Sequence, residues 1–208
     1  MIWLIKILET LLEVNLAAYG LFPRQVSGLL GIVTAPFLHG DYLHLISNTL
    51  PVFLLSTFSF YAYPRVAVPL TVWLFLATGL WTWSFARDAY HIGASGLVYG
   101  YASFLFFSGW FRREREAQAL SLVVVFLYSG LLLGLVPADN HISWESHLSG
   151  SVAGLGFAYF FRQTDVPQAS NLHPEAEAWS EEENHEIRLN HIFYTPPNSS
   201  QKRQIWPK

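Results

Sequence analysis

Four residues, Gly93-Ala94-Ser95-Gly96, stand directly at the start of the apolar run Leu97 to Trp110. They place a hydroxyl at the mouth of a helix, on a backbone that glycine leaves open to close approach. A second apolar run opens with Ser146-His147-Leu148-Ser149-Gly150, which puts an imidazole at another helix mouth. A hydroxyl that gives its proton to an imidazole becomes a nucleophile fit for acyl transfer. The N–H groups of a helix start point at the negative charge such an attack develops. Two more polar residues, His44 and Asn48, are four apart and share one helix face. An imidazole and an amide pointing into a bundle can donate to an oxyanion. Each group also has a plainer use. Ser95 and its glycines suit helix packing, His147 suits a hydrogen bond to a loop, and His44 with Asn48 suits a tie between loop and helix.

These residues do chemistry only if the elements that carry them meet. Hydrophobic residues make up 52% of the chain and charged ones 13%, against roughly a quarter charged in a soluble domain. The apolar residues come in blocks and not at core-facing periods. Spans are expected at 2–20, 44–61, 66–86, 94–111, 118–136 and 145–161, each near the ~20 residues a bilayer requires. The fold class is an all-α membrane protein, a six-transmembrane-helix bundle over residues 1–162. Lys6, Glu9 and Glu13 interrupt the first span on one stripe, where they would pair internally or face the bundle. No cleavable leader pattern precedes that block, so the first span is expected to act as the insertion signal. The absence of cysteine excludes thiol nucleophiles and thiolate metal sites.

Basic residues sort the connections into two sets. Arg65, Arg112, Arg113, Arg115 and Arg162 fall in alternate connections, whereas the others hold Arg24 and Arg87 together with Asp41, Asp88, Asp139 and Glu145. Lys/Arg excess marks the cytoplasmic side. Five against two, with Lys6 near the first inside end, predicts both termini in the cytoplasm of a multi-pass protein of the plasma (bacterial inner) membrane. Spans two, four and six then all enter from outside, so His44, Ser95 and His147 share one depth on one face.

Residues 163–208 are rich in Asn, Gln, Ser, Pro and Glu, with Glu181-Glu182-Glu183 in their midst. Such a stretch buries too little apolar surface to offset its ordering entropy and reads as a disordered cytoplasmic tail. His173, His185 and His191 within it have no ligand-like spacing. The first external connection, 21–43, is too apolar for a solvated loop, and is expected to fold against the bundle in the interface. His39 in that connection reads as structural, while His91 and His141 read as solvated.

Glycines supply the means of approach. Gly96 and Gly100 form a GxxxG face, and Gly150 and Gly154 lie on the His147 side of the sixth span. That stripe would let the sixth span close on the fourth until His147 reaches Ser95, within the ~2.6–3.2 Å a general base needs.

The segments His39-Gly40-Asp41-Tyr42-Leu43-His44-Leu45-Ile46-Ser47-Asn48, Gly93-Ala94-Ser95-Gly96 with Tyr99 and Gly100, and His147 with Gly150 and Gly154 closely resemble the signature regions of the rhomboid intramembrane serine proteases. The resemblance covers about residues 20–161, in order and on the matching spans. It implies a Ser–His dyad in a water-filled cavity, with Ser95 as nucleophile and His147 as general base. It also implies an oxyanion hole of His44, Asn48 and the Ser95 backbone N–H. Tyr99 would pack against His147, and Gly93 would shape the nucleophile turn. The Trp-Arg pair that many members carry in the first external loop is missing from Ser27 to Thr34, and Pro23-Arg24 is no clear substitute. No acidic third member is expected, since Glu145 lies on another helix face from His147.

Three functions fit such a chain. The first is an endopeptidase that cleaves the transmembrane segments of other membrane proteins near their outer ends. The second is a catalytically silent relative that binds membrane helices, against which an intact Ser95 and His147 count. The third is a transporter or metal-handling protein using His39, His44, His91 and His147, which the scarcity of intramembrane carboxylates disfavours. The expected partners are membrane-protein substrates and the lipid bilayer. No metal, cofactor or nucleic acid is expected, and the sequence sets no oligomeric state.

Overall fold

Helices follow one another along the chain in the order of its apolar blocks. The computed structural model describes residues 1–137 and 143–165, all within one compact unit. The helices are α1 (Ile2–Leu11), α2 (Gly31–Thr34), α3 (Tyr42–Ala62), α4 (Pro64–Phe85), α5 (Ser95–Arg112), α6 (Arg115–Tyr128) and α7 (Trp144–Phe160). Short 3-10 segments lie at Ala17–Tyr19, Val26–Leu30, Ala35–Phe37 and Ser129–Leu135. No strand occurs among the described residues, only an isolated bridge between Leu21 and His91. The all-helical class holds. His141, Asp139 and the tail from residue 166, with His173, His185 and His191, lie outside the described residues.

Among the described residues three helical stretches are long and apolar enough to cross a membrane: Tyr42–Ala62, Pro64–Phe85 and Arg115–Leu135. α5 and α7, which cover two further expected spans, are helices of another kind. Both are rich in Gly, Ser and Ala where they face each other; α5 is enclosed by its neighbours, whereas α7 leaves Leu148, Val152, Tyr159 and Phe160 exposed on its other face. On α5 the buried residues Gly96, Val98, Tyr99, Gly100, Phe104, Leu105 and Ser108 occupy nearly every direction around the axis. A helix wrapped by protein has no need of an unbroken apolar surface. The outer helices show the reverse pattern. Leu43, Phe53, Trp73, Phe85, Leu122 and Phe126 are all more than half exposed, as suits side chains facing lipid.

Interlocking glycines hold α5 against α7. A Cβ at Gly150 would overlap the Gly96 carbonyl, and one at Gly154 would overlap the Gly100 carbonyl. The two GxxxG faces therefore meet backbone to backbone. Around this contact the core gathers Leu55, Leu70, Leu74, Val98, Phe104, Leu105, Val124 and Ala153. At the end remote from Ser95, the Asp165 carboxylate caps α4 by accepting from Arg65 N (2.9 Å) and Val66 N (3.1 Å). Arg112 closes the end of α7 by donating to the carbonyls of Phe161 and Thr164.

The first expected span, 2–20, is only a ten-residue helix. Trp3 Nε1 donates to Thr49 Oγ1 (3.2 Å) and the Tyr42 hydroxyl donates to Thr10 Oγ1 (3.1 Å), so α1 runs antiparallel beside the first half of α3. Glu13 lies beyond the helix in the left-handed region (φ 52°), off the predicted stripe. Lys6 pairs with Glu9 at 3.0 Å and donates to the Gly40 carbonyl at 2.9 Å. It therefore sits at the Ser95 end of the bundle, not the opposite end. Among the described residues the Lys and Arg side chains divide five to three, not five to two.

The first connection folds back onto the helices as its apolar content requires. Leu21, Ile32 and Ala35 are buried and pack with Trp83 of α4. Arg24, also left-handed (φ 56°), donates its backbone N–H to Trp83 O (3.0 Å). Its guanidinium donates to Ala86 O (2.7 Å) and pairs with Asp88. Trp83 Nε1 returns a bond to Gln25 O (2.9 Å). Arg24 and Trp83 thus tie the loop to α4 by hydrogen bonds, and Ile32 adds apolar contact against Gly79 and Trp83.

Candidate active site

Ser95 is the first residue of α5, so its backbone N–H is among those a helix leaves without an intrahelical acceptor. The turn before it depends on Gly93. Its φ of +105° disfavours any other residue, and a Cβ there would lie 2.7 Å from the His44 ring. Gly93 N–H donates to Ala35 O at 2.9 Å, which anchors this turn to the folded first connection.

His147 lies one turn inside α7, whose start is capped by Ser143 Oγ accepting from Ser146 N. The close α5–α7 contact brings His147 Nε2 to 2.8 Å from Ser95 Oγ. Its other ring nitrogen, Nδ1, is 2.8 Å from the Gly134 carbonyl. A carbonyl only accepts, so Nδ1 carries the proton and donates. In the neutral ring Nε2 then holds a lone pair, and the Ser95 hydroxyl donates to it. Tyr99, one turn along α5 from Ser95, lies parallel to the His147 ring with centroids 4.1 Å apart and planes 8° from parallel. Its hydroxyl donates to Leu131 O at 2.6 Å.

A cavity of about 830 Å³ adjoins this pair. Ser95, His147, Tyr99, His44 and Asn48 line it, together with Gly40, Asp41, Arg87 and Tyr90 from the connections at that end. His44 enters on the first turn of α3, which the Asp41 carboxylate caps by accepting from His44 N at 2.7 Å. That bond is the leading reason the Asp41 carboxyl is held below its usual range. Asn48 is buried, and its amide donates to His44 O at 2.8 Å along its own helix. One of the two amide N–H groups is thereby used, leaving one for the cavity.

Several histidines differ in setting from the sequence reading. His91 was expected in solvent but is buried. Its Nε2–H donates to Arg87 O (3.1 Å), and its Nδ1 is 2.6 Å from Ser143 Oγ. The bridge to Leu21 carries it inward, and burial lowers its pKa. Through Ser143 it links the connection before α5 to the cap of α7. His39 is buried edge-on to His44, with centroids 5.1 Å apart. Burial and the neighbouring His44 push its pKa down to about 4. Glu145 is buried, and its carboxylate lies 3.5 Å from Arg87 Nη1. Among the described residues no three His, Asp or Glu side chains converge as metal ligands would.

Sequence reasoning missed Gly134, Leu131, Ser143 and His91 as neighbours of the site. Ser143 was detectable as a cap ahead of an apolar run. The two carbonyls leave no trace in residue type.

Comparison with known proteins follows the same residues. Positions 26–164 match the Rhomboid domain. The chain belongs to the rhomboid family. Uncharacterized proteins of Mycobacterium bovis and Mycobacterium tuberculosis are 36% identical over 168 residues, covering 76% of this chain and 70% of theirs. An uncharacterized protein of Mycobacterium leprae is 31% identical over 168 residues, covering 76% of this chain and 66% of its own. No solved structure matches. A rhomboid domain with three long apolar helices makes this a membrane protein, and the relatives are bacterial.

Proposed function

We propose that this rhomboid protein is an intramembrane serine endopeptidase that cleaves transmembrane segments of other membrane proteins near their outer ends. The observation that carries this reading is the pairing of Ser95 Oγ with a His147 whose Nε2 lone pair faces it at 2.8 Å. The cavity supports it as well, since hydrolysis needs water that hydrocarbon cannot supply. In this reading Ser95 attacks a peptide carbonyl while His147 Nε2 takes its proton. The carbonyl oxygen becomes an oxyanion facing the Ser95 N–H, His44 and Asn48. As the C–N bond breaks, His147 returns the proton to the leaving amine and an acyl-enzyme forms on Ser95. Water, deprotonated by His147, then releases the acyl group. Tyr99 keeps the imidazole plane fixed, and Gly93 keeps the turn open.

The finer architecture belongs to the same proposal. A bundle with the site end outside puts Arg65, Arg112, Arg113, Arg115 and Arg162 in the cytoplasm, with residues 163–208 as a cytoplasmic tail. α3 to α7 supply five crossings and α1 a sixth, shorter element.

Reaction of the detergent-solubilised protein with a fluorophosphonate probe tests the chemistry. Labelling at Ser95 that is lost in Ser95→Ala and His147→Ala is expected. A folded wild-type protein that takes no label and cleaves no transmembrane substrate would mark a silent relative.

A further inference from the structure

The 3-10 segment Ser129–Leu135 continues α6 past the site, and none of its seven residues is buried. Leu132 and Leu133 are 68% and 78% exposed, and only Leu131 packs against the edge of the core. Two hydrogen bonds bring it to the bundle. The Tyr99 hydroxyl donates to Leu131 O (2.6 Å) and His147 Nδ1–H donates to Gly134 O (2.8 Å). Both donors belong to the one stacked pair beside Ser95. The approach is also close, because a Cβ at Gly134 would overlap Tyr99 Oη and lie 3.1 Å from His147 Nδ1.

Taking Ser95 and His147 in the roles given above, we propose that Ser129–Leu135 is the positioning element of the base. Its Gly134 carbonyl holds His147 as the Nδ1–H tautomer, and its Leu131 carbonyl holds the Tyr99 ring that the imidazole lies on. The uncharged carbonyl orients the ring where a triad uses a carboxylate. Glu145 cannot serve, being paired with Arg87. Without the Gly134 acceptor only the Ser95 hydroxyl faces the ring; it can accept as well as donate, and the other tautomer turns a proton, not a lone pair, toward it. The base is therefore armed only while the segment is docked.

The test uses the full chain in detergent, labelled with 15N-histidine, at a pH where the imidazoles are neutral. The His147 signal is assigned by its loss in His147→Asn. Wild type and Ser95→Ala are both expected to show the Nδ1–H tautomer, a readout that needs no activity. Gly134→Ala is expected to show mixed tautomers and fluorophosphonate labelling slowed at least about tenfold, short of the ~10⁴-fold a wrong tautomer costs in a carboxylate-oriented triad. Gly130→Ala, in the same segment with open space around it, is expected to match wild type in both. An Nε2–H tautomer in the wild type overturns the proposal. So does a Gly134→Ala protein with wild-type tautomer and labelling. If Gly134→Ala does not fold, the wild-type tautomer decides alone. A wild type that shows Nδ1–H but takes no label sinks the protease reading and leaves the positioning intact.

Discussion

Removing the Ser95 hydroxyl deletes the nucleophile, and removing the His147 ring deletes the base. Ser95→Ala and His147→Ala are therefore expected to fall to background turnover on a transmembrane substrate while remaining folded. Asn48→Ala removes one oxyanion donor and is expected to lose roughly 10²–10³-fold or less, still measurable. Wild-type turnover by folded Ser95→Ala would refute the assignment whatever the other variants did. His39 supplies a second test at this scale. It is buried with a pKa pushed down to about 4, first by desolvation and then by His44, with Lys6 and Asp41 also acting on it. The unfolded chain binds a proton near pH 6.5 that the folded state refuses until about 4. Stability contributed by the neutral ring is therefore full above pH 6.5 and lost as pH falls toward 4. Thermal denaturation in detergent should show a drop from pH 7 to pH 5 that is smaller in His39→Leu. An equal drop in both proteins would show that His39 is not its source.

Helices were legible from blocks of apolar residues, and the α5–α7 approach from two GxxxG stripes. What escaped was set by backbone contacts that leave no mark in side-chain type. The shortness of α1 is one case, since Leu12 and Val14 read as apolar continuation although Glu13 has already turned left-handed. The 3-10 continuation of α6 is another. Its carbonyls meet His147 and Tyr99 in space, and the run Gly130 to Leu135 reads simply as more apolar helix. Gly150 is where the legible part can be tested. Gly150→Val adds a side chain into the Gly96 carbonyl, so α7 must back away from α5. Folding and activity should fall together, seen as a lower melting temperature and lost fluorophosphonate labelling. Gly93→Ala acts on the turn alone. It forces a side chain onto φ +105° and into the His44 ring, so labelling should fall with a much smaller change in melting temperature. Equal effects on stability in the two variants would mean that the Gly93 turn also supports the bundle.

At the scale of the whole molecule, the side of the membrane on which Ser95 opens rests on charge alone. The placement of Lys6 beside Gly40 narrows the margin to five basic residues against three, and three of the five, Arg112, Arg113 and Arg115, sit at the single turn where α5 ends and α6 begins. A short, strongly basic connection is the kind that the positive-inside rule weighs most. The chain has no cysteine, so single substitutions report without any background. Tyr90, half exposed beside the cavity, and Arg113, at the far end of α5, mark the two ends of the bundle. Tyr90→Cys in intact bacterial cells should react with a membrane-impermeant maleimide added from outside. Arg113→Cys should react only after the membrane is opened, and Ser200→Cys should follow it if the tail is cytoplasmic. The reverse pattern would turn the cavity toward the cytoplasm. Substrates would then be cut near their inner ends, while the pairing of Ser95 with His147 would stand unchanged.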